Sequence, residues 1–193
     1  MRADNATLAA WNRLATYPGG KYLFSKLVDF KAPYFGSVGA VIEVLEPNFA
    51  RLRLRKRRAV QNHIGTVHVI AILNMLEKAM GVCAEVSIPP GLRWIPKGMT
   101  LDYPSRAAID LSGIARIDPA GWAPGELPVE VTAYDRDQTV VVRGTILLWI
   151  SEKKHPPGTS GEPVKKPGRS TCEYVSAVPH PAQKPRVTPG EER

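Results

Sequence analysis

The sequence predicts an α+β domain in which an antiparallel β-sheet wraps around one long central helix. Three observations carry this. Val67 to Ala84 is apolar on nearly every side of a helix and too long for a strand. Two strand-like segments precede it and four follow it. Asp135 to Gln138 reads as a hairpin turn joining the last two. A lone helix among antiparallel strands buries its stripe by lying across the sheet.

Taken in order, Asn5 to Thr16 carries Leu8, Trp11, Leu14 and Ala15 at helix spacing. After a "YPGG" break, "KYLFSKLVDFKAPYF" puts Tyr22, Leu23, Lys26, Leu27 and Phe30 on neighbouring turns. This is a second entry helix, stopped near Pro33. "SVGAVIEVLEP" is a strand ending at Pro47, and in "ARLRLRKRR" Leu52 and Leu54 point inward while Arg51, Arg53 and Arg55 point outward. Beyond the long helix come "WIPKGMTLDYPSRA", "AIDLSGIARID", "LPVEVTAYD" and "TVVVRGTILLWISE". Pro96 belongs on a sheet edge, because it has no N–H for a ladder. The expected organisation is an N-terminal helical extension over 1–35, a sheet-and-helix domain over 36–152, and a tail over 153–193. From His155 that tail holds 8 of the chain's 18 prolines and almost no large apolar side chains, a composition expected to be disordered.

Composition narrows the function. Hydrophobic residues make up 44% of the chain, enough for a real core. A net charge of +8 favours an anionic partner without choosing one. The two cysteines form neither a disulfide framework nor a metal site, and a reducing compartment is the simpler reading. No apolar run is long enough to span a bilayer and no signal peptide is apparent, so the chain is expected to be cytoplasmic with no membrane partner.

One stretch departs from ordinary packing: "QNHIGTVHVIAILNMLE", Gln61 to Glu77. Thr66 is a good N-cap and Gly65 allows a tight approach before it. The N–H groups around Val67 to Val69 then lack helical partners and form a site for developing negative charge, such as an acyl-transfer oxyanion. Around the helix, Ile70, Asn74, Glu77, Lys78 and Gly81 share one sector. A carboxylate there is either a general base in a wet cleft or one half of a salt bridge, Lys78 included, and the sequence leaves both open. Glu77 lies about 12 Å along the axis from Val69, too far for both to touch one carbonyl. If both act, one chain supplies the helix start and a second the acid, across a two-fold interface.

These residues resemble the active-site segment of hotdog-fold acyl-CoA thioesterases of the PaaI-like branch, in which an Asn, a G-[ST]-x-H-G-G turn and an acidic helix residue recur. Asn62, Gly65-Thr66-Val67-His68 and Glu77 occupy those places, and "MTLDYPSRA" resembles the family's next strand and corner. The likeness covers Gly36 to Ser151 and is nearest to a subgroup with an NHIGTVH core. It implies a hotdog dimer or dimer of dimers with no cofactor. Glu77 would be general base or nucleophile, Asn62 would position water or the carbonyl, and the Val69 N–H with His68 beside it would polarise the thioester oxygen. Beside the resemblance, Gly65, Thr66 and Asn74 are expected near the substrate. Arg93, Lys97 and Arg106, around the next strand, either reach a pantetheine or phosphate group or serve structural roles singly. Two departures stand out: Val69-Ile70 replaces Gly-Gly, narrowing access to the N–H, and the acid is Glu instead of Asp.

The remaining features are less specific. Arg51 to Arg58 suits the phosphates of coenzyme A, an acidic carrier protein, or simply a solvated strand face. Aromatic residues do not interleave with it, which counts against nucleic acid. His63 and His68 have no third ligand near, so no metal is expected. The sequence therefore supports an acyl-CoA hydrolase, with a non-catalytic acyl-CoA or acyl-carrier-protein binding module as the alternative.

Overall fold

The computed structural model describes residues 5–153. The expected tail, Lys153 apart, lies outside the described residues. Helix α1 (Ala6–Leu14) starts at Asn5, whose side chain accepts the Leu8 N–H at 3.0 Å. The same side chain donates to the Glu85 carbonyl at 2.6 Å, so one residue caps α1 and ties it to the far end of the central helix. Helix α2 (Gly20–Lys31) packs against α1 through Trp11 and Phe24, whose rings meet edge to face at 5.3 Å. Gly20 permits this close approach, since a Cβ there would overlap the Leu14 carbonyl.

Two expectations need correction here. The apolar residues that mark α2 in the sequence, Tyr22, Leu23, Leu27 and Phe30, face solvent, and the buried side is Phe24, Ser25 and Asp29. Polar contacts fix that orientation: the Ser25 hydroxyl accepts the Ile42 N–H at 2.9 Å, and Asp29 binds Lys78. Pro33 also does not end the helical region. It sits in the first turn of a third helix, α3 (Pro33–Val38), where its missing N–H costs nothing. The first residues of the expected strand are therefore helical, and the expected 35/36 boundary falls inside α3.

The sheet follows: β1 (Val41–Glu46), β2 (Phe49–Leu54), β3 (Leu92–Asp102), β4 (Leu111–Ile117), β5 (Gly125–Asp135) and β6 (Val140–Glu152). All pairs are antiparallel, in the order β1-β2-β4-β5-β6-β3. Leu52 and Leu54 are buried, as the alternation predicts. Pro96 lies on the edge strand β3 at a register shift to Gly98, where a missing donor is tolerated. The turn from Asp135 closes with Gln138 in the left-handed region and the Asp135 carboxylate accepting the Thr139 N–H.

Helix α4 (Val69–Ser87) crosses this sheet mainly over β2 and β4, with Met75, Leu76, Ala79, Met80 and Cys83 completely buried. Gly113 on β4 makes room for it, because a Cβ there would stand 2.7 Å from the Met75 methyl. Each fully buried side chain of this size contributes about 1.5–3 kcal/mol. This is the hotdog fold: six antiparallel strands across one long helix. The polar sector of α4 divides in two. Asn74 and Lys78 are buried against α3 and α2, Asn74 donating to the Tyr34 carbonyl at 3.2 Å. Ile70 and Glu77, with Leu73 between them, form a partly open face, and Gly81 faces the Trp94 ring of β3. The sheet is likewise open at β3: Met99 stands opposite buried Ile146 yet remains 43% exposed.

Candidate active site

The site is built around the start of α4. Asn62 organises the loop before it. Its Nδ2 donates to Thr66 Oγ1 at 2.8 Å, and its Oδ1 accepts the N–H groups of Ile64 at 3.2 Å and Thr66 at 3.1 Å. Gly65 takes a positive φ of 77°, which closes the turn and which a side chain would disfavour. Thr66 is thus a loop residue and not the N-cap. His68 is the cap: its Nδ1 accepts the Ile70 N–H at 3.1 Å, so the neutral ring carries its hydrogen on Nε2.

The pool of free donors is smaller than the sequence suggests. The Val67 N–H goes to the Ala107 carbonyl at 2.9 Å and the His68 N–H to the Val60 carbonyl at 2.8 Å. Ala71 and Ile72 donate to the His68 carbonyl at 2.9 and 3.2 Å. The Val69 N–H remains, with no partner among the described residues. One amide, flanked by the His68 ring, is what this helix start offers an anion.

That amide belongs to a shallow cleft of about 260 Å³ lined by Asn62, Thr66, His68, Val69, Ser105 and Arg106, with Val141 and Val142 as an apolar wall. Arg106 is exposed and has no ion-pair partner among the described residues. The cleft also includes His63, Tyr103 and Ser105, which the sequence did not mark as site residues. The signal for the last two was the corner in "MTLDYPSRA", which docks on the helix start through Ala107.

Other residues expected at the site lie elsewhere. Asn74 is buried against α3. Arg93 donates to Ser151 Oγ at 2.9 Å, and Lys97 pairs with Glu126 while stacking 5.0 Å over the Trp149 ring. Glu77 is half-buried on the open face of α4, outside the cleft, with no hydrogen bond or ion pair among the described residues. The salt bridge left open for it is made by its neighbour: Lys78 Nζ lies 2.5 Å from Asp29 Oδ1. A larger cleft, about 700 Å³, lies at the other end of α4 between α1 and Glu85–Pro90 and holds none of the assigned residues. No three His, Cys, Asp or Glu side chains converge on a metal site among the described residues.

The family described as "Domain of unknown function (DUF4442)" matches residues 20–150. No curated protein matches the chain. Among solved structures, a structural-genomics target is 38% identical over 76% of this chain and 98% of its own, with a TM-score of 0.66. A Pseudomonas aeruginosa protein of unknown function, called a probable thioesterase, is 24% identical over 71% of this chain and 97% of its own, with a TM-score of 0.62. A thioesterase family protein from Silicibacter pomeroyi is 18% identical over 68% and 99%, with a TM-score of 0.58. The last two likenesses establish the shared fold.

Proposed function

The chain belongs to the DUF4442 family, and on that footing we propose that it hydrolyses acyl-CoA thioesters at a site shared by two copies. The observation that carries this reading is the unpartnered Val69 N–H, opening into a cleft beside the His68 ring and a free Arg106. The thioesterase names of the structural neighbours support the reaction class. The finer likeness to the PaaI-like branch rests on Asn62, Gly65 to His68, and Glu77.

In this mechanism a water attacks the thioester carbon while Glu77 of the second copy accepts its proton. The carbonyl oxygen becomes an oxyanion held by the Val69 N–H, with the His68 Nε2–H as a second donor. Collapse breaks the carbon–sulfur bond, and the departing thiolate takes the proton back from Glu77. Asn62, Gly65 and Thr66 act as positioning residues that fix the loop, and Arg106 receives a phosphate or pantetheine oxygen. Arg93 and Lys97 are left out, being engaged with Ser151 and Glu126. The bare β3 edge and the open face of α4, with its unpaired Glu77, support a two-fold partner. A cytoplasmic location fits such a substrate.

One observation favours the alternative of a non-catalytic acyl-CoA or carrier-protein binding module. The Ile70 N–H is covered by the His68 ring, and Val69 and Ile70 put side chains where the resembled turn has none. Thiol release from a panel of acyl-CoAs by wild type and Glu77→Ala separates the two. Hydrolysis requires turnover that falls about 10²-fold on substitution. Retained binding without turnover by the wild type leaves only the module.

A further inference from the structure

We propose that the outer face of α2 docks on an anionic bilayer surface, with Leu23, Leu27 and Phe30 entering the acyl boundary and basic side chains at its margins against the headgroups. Phe30 is 87% exposed, Leu23 51% and Leu27 53%. At 100° per residue the three fall within about 60° of one another, so they form one stripe along the helix. Lys26 and Lys31 stand on its two sides, Lys26 44% exposed with its Nζ 3.6 Å from Asp29 Oδ2. Beyond Lys26, which lies over the Tyr22 ring at 5.5 Å, Tyr22 shares a cleft with Arg53, Arg55 and Arg57. Apolar and aromatic side chains bordered by lysine and arginine are the make-up of a helix lying in a membrane interface. The complementary charge selects an anionic surface. Such a helix needs no spanning run, so the expectation of no membrane partner, drawn from the lack of one, does not reach it.

The position of the stripe argues against a second copy as its cover. Helix α2 packs on β1, at the opposite edge of the sheet from the bare strand β3. Its contact with α4 runs through Asp29, on the side of α2 away from the stripe. The surfaces of the proposed pair, β3 and the partly open face of α4, therefore do not include Leu23, Leu27 or Phe30. An apolar stripe turned to water at that distance from the core needs a different reason. This inference stands apart from the proposed hydrolysis, because none of its residues is in the cleft.

The test is co-sedimentation of the full chain with vesicles of phosphatidylcholine alone or mixed equally with phosphatidylglycerol. Binding is expected to the mixed vesicles, weakened roughly tenfold or more by Phe30→Glu and by Lys26→Glu/Lys31→Glu. Light scattering should give both variants the wild-type mass, and circular dichroism the wild-type helix content. Absence of vesicle binding overturns the proposal. Binding unchanged by Phe30→Glu, or a drop in mass caused by it, also overturns it, the last by making the stripe a contact between copies.

Discussion

Lys78 reaches across from α4 to Asp29 on α2, with Nζ 2.5 Å from Oδ1 and 2.8 Å from the Ala40 carbonyl, and has no exposed surface. Burial pushes the amine below the ordinary lysine value, and the Asp29 carboxylate opposes that shift. The pair is the polar pin between the N-terminal helices and the central one. Lys78→Met should cost about 3 kcal/mol, because it leaves the buried Asp29 carboxylate with only the half-exposed Lys26, 3.6 Å away. Adding Asp29→Leu should recover most of the loss in urea unfolding. Equal stabilities for the single and double variants would refute this account.

His68 holds two roles that substitution can separate. Asparagine is a good N-cap, so His68→Asn should keep the helix start intact while removing the ring donor. His68→Ala should lose the cap as well and cost about 1 kcal/mol. We expect both variants to lose turnover and only the alanine variant to unfold at lower urea. Unchanged turnover in His68→Asn would remove the ring from the mechanism.

The partly uncovered inner side of β3 sets a prediction for assembly. Met99 faces the side of buried Ile146 yet is 43% exposed, so Met99→Glu costs little in an isolated chain. At a two-fold interface it buries a charge against apolar neighbours. Light scattering should show the wild type as a dimer or larger and Met99→Glu as a monomer with near-wild-type circular dichroism. A wild type that is monomeric at micromolar concentration would deny the shared site.

Cys83 supplies a pH test. Burial pushes its thiol from 9.0 up to about 12. Above pH 9 the unfolded chain releases the proton while the folded one keeps it, so this group lowers stability as pH rises from 9 towards 12. Lys78, lowered by burial, acts with the opposite sign below its unfolded value of 10.5, so wild type alone would mix the two. The difference between wild type and Cys83→Ala isolates the thiol. It should shrink by roughly 1 kcal/mol between pH 8 and pH 10 in urea unfolding. A constant difference would mean that the thiol ionises freely in the fold.

What the sequence determined was whatever depends on local pattern. A stretch as long and as largely apolar as Val67 to Ala84, broken by Asn74, Glu77 and Lys78, reads as a buried helix, and the alternation around Leu52 and Leu54 puts them inward. Pro96 had to lie at an edge for want of a donor. The loop from Asn62 to His68 was legible as special, because Asn, Gly and Thr there have few purposes other than a tight turn before a helix.

Tertiary structure decided what depends on the partners a group finds. Periodicity shows that α2 has an apolar stripe, but contacts from Ser25 to β1 and from Asp29 to Lys78 turned that stripe outward. Which of Glu77 and Lys78 would be buried was undecided in the sequence, since they are neighbours on one helix. Asp29, 49 residues away from Lys78, settled it. The donors at Val67 and His68 were likewise removed by carbonyls of Ala107 and Val60, which only the folded chain brings near. A polar group's role is set by what stands opposite it, and in this chain those opposites are distant in sequence.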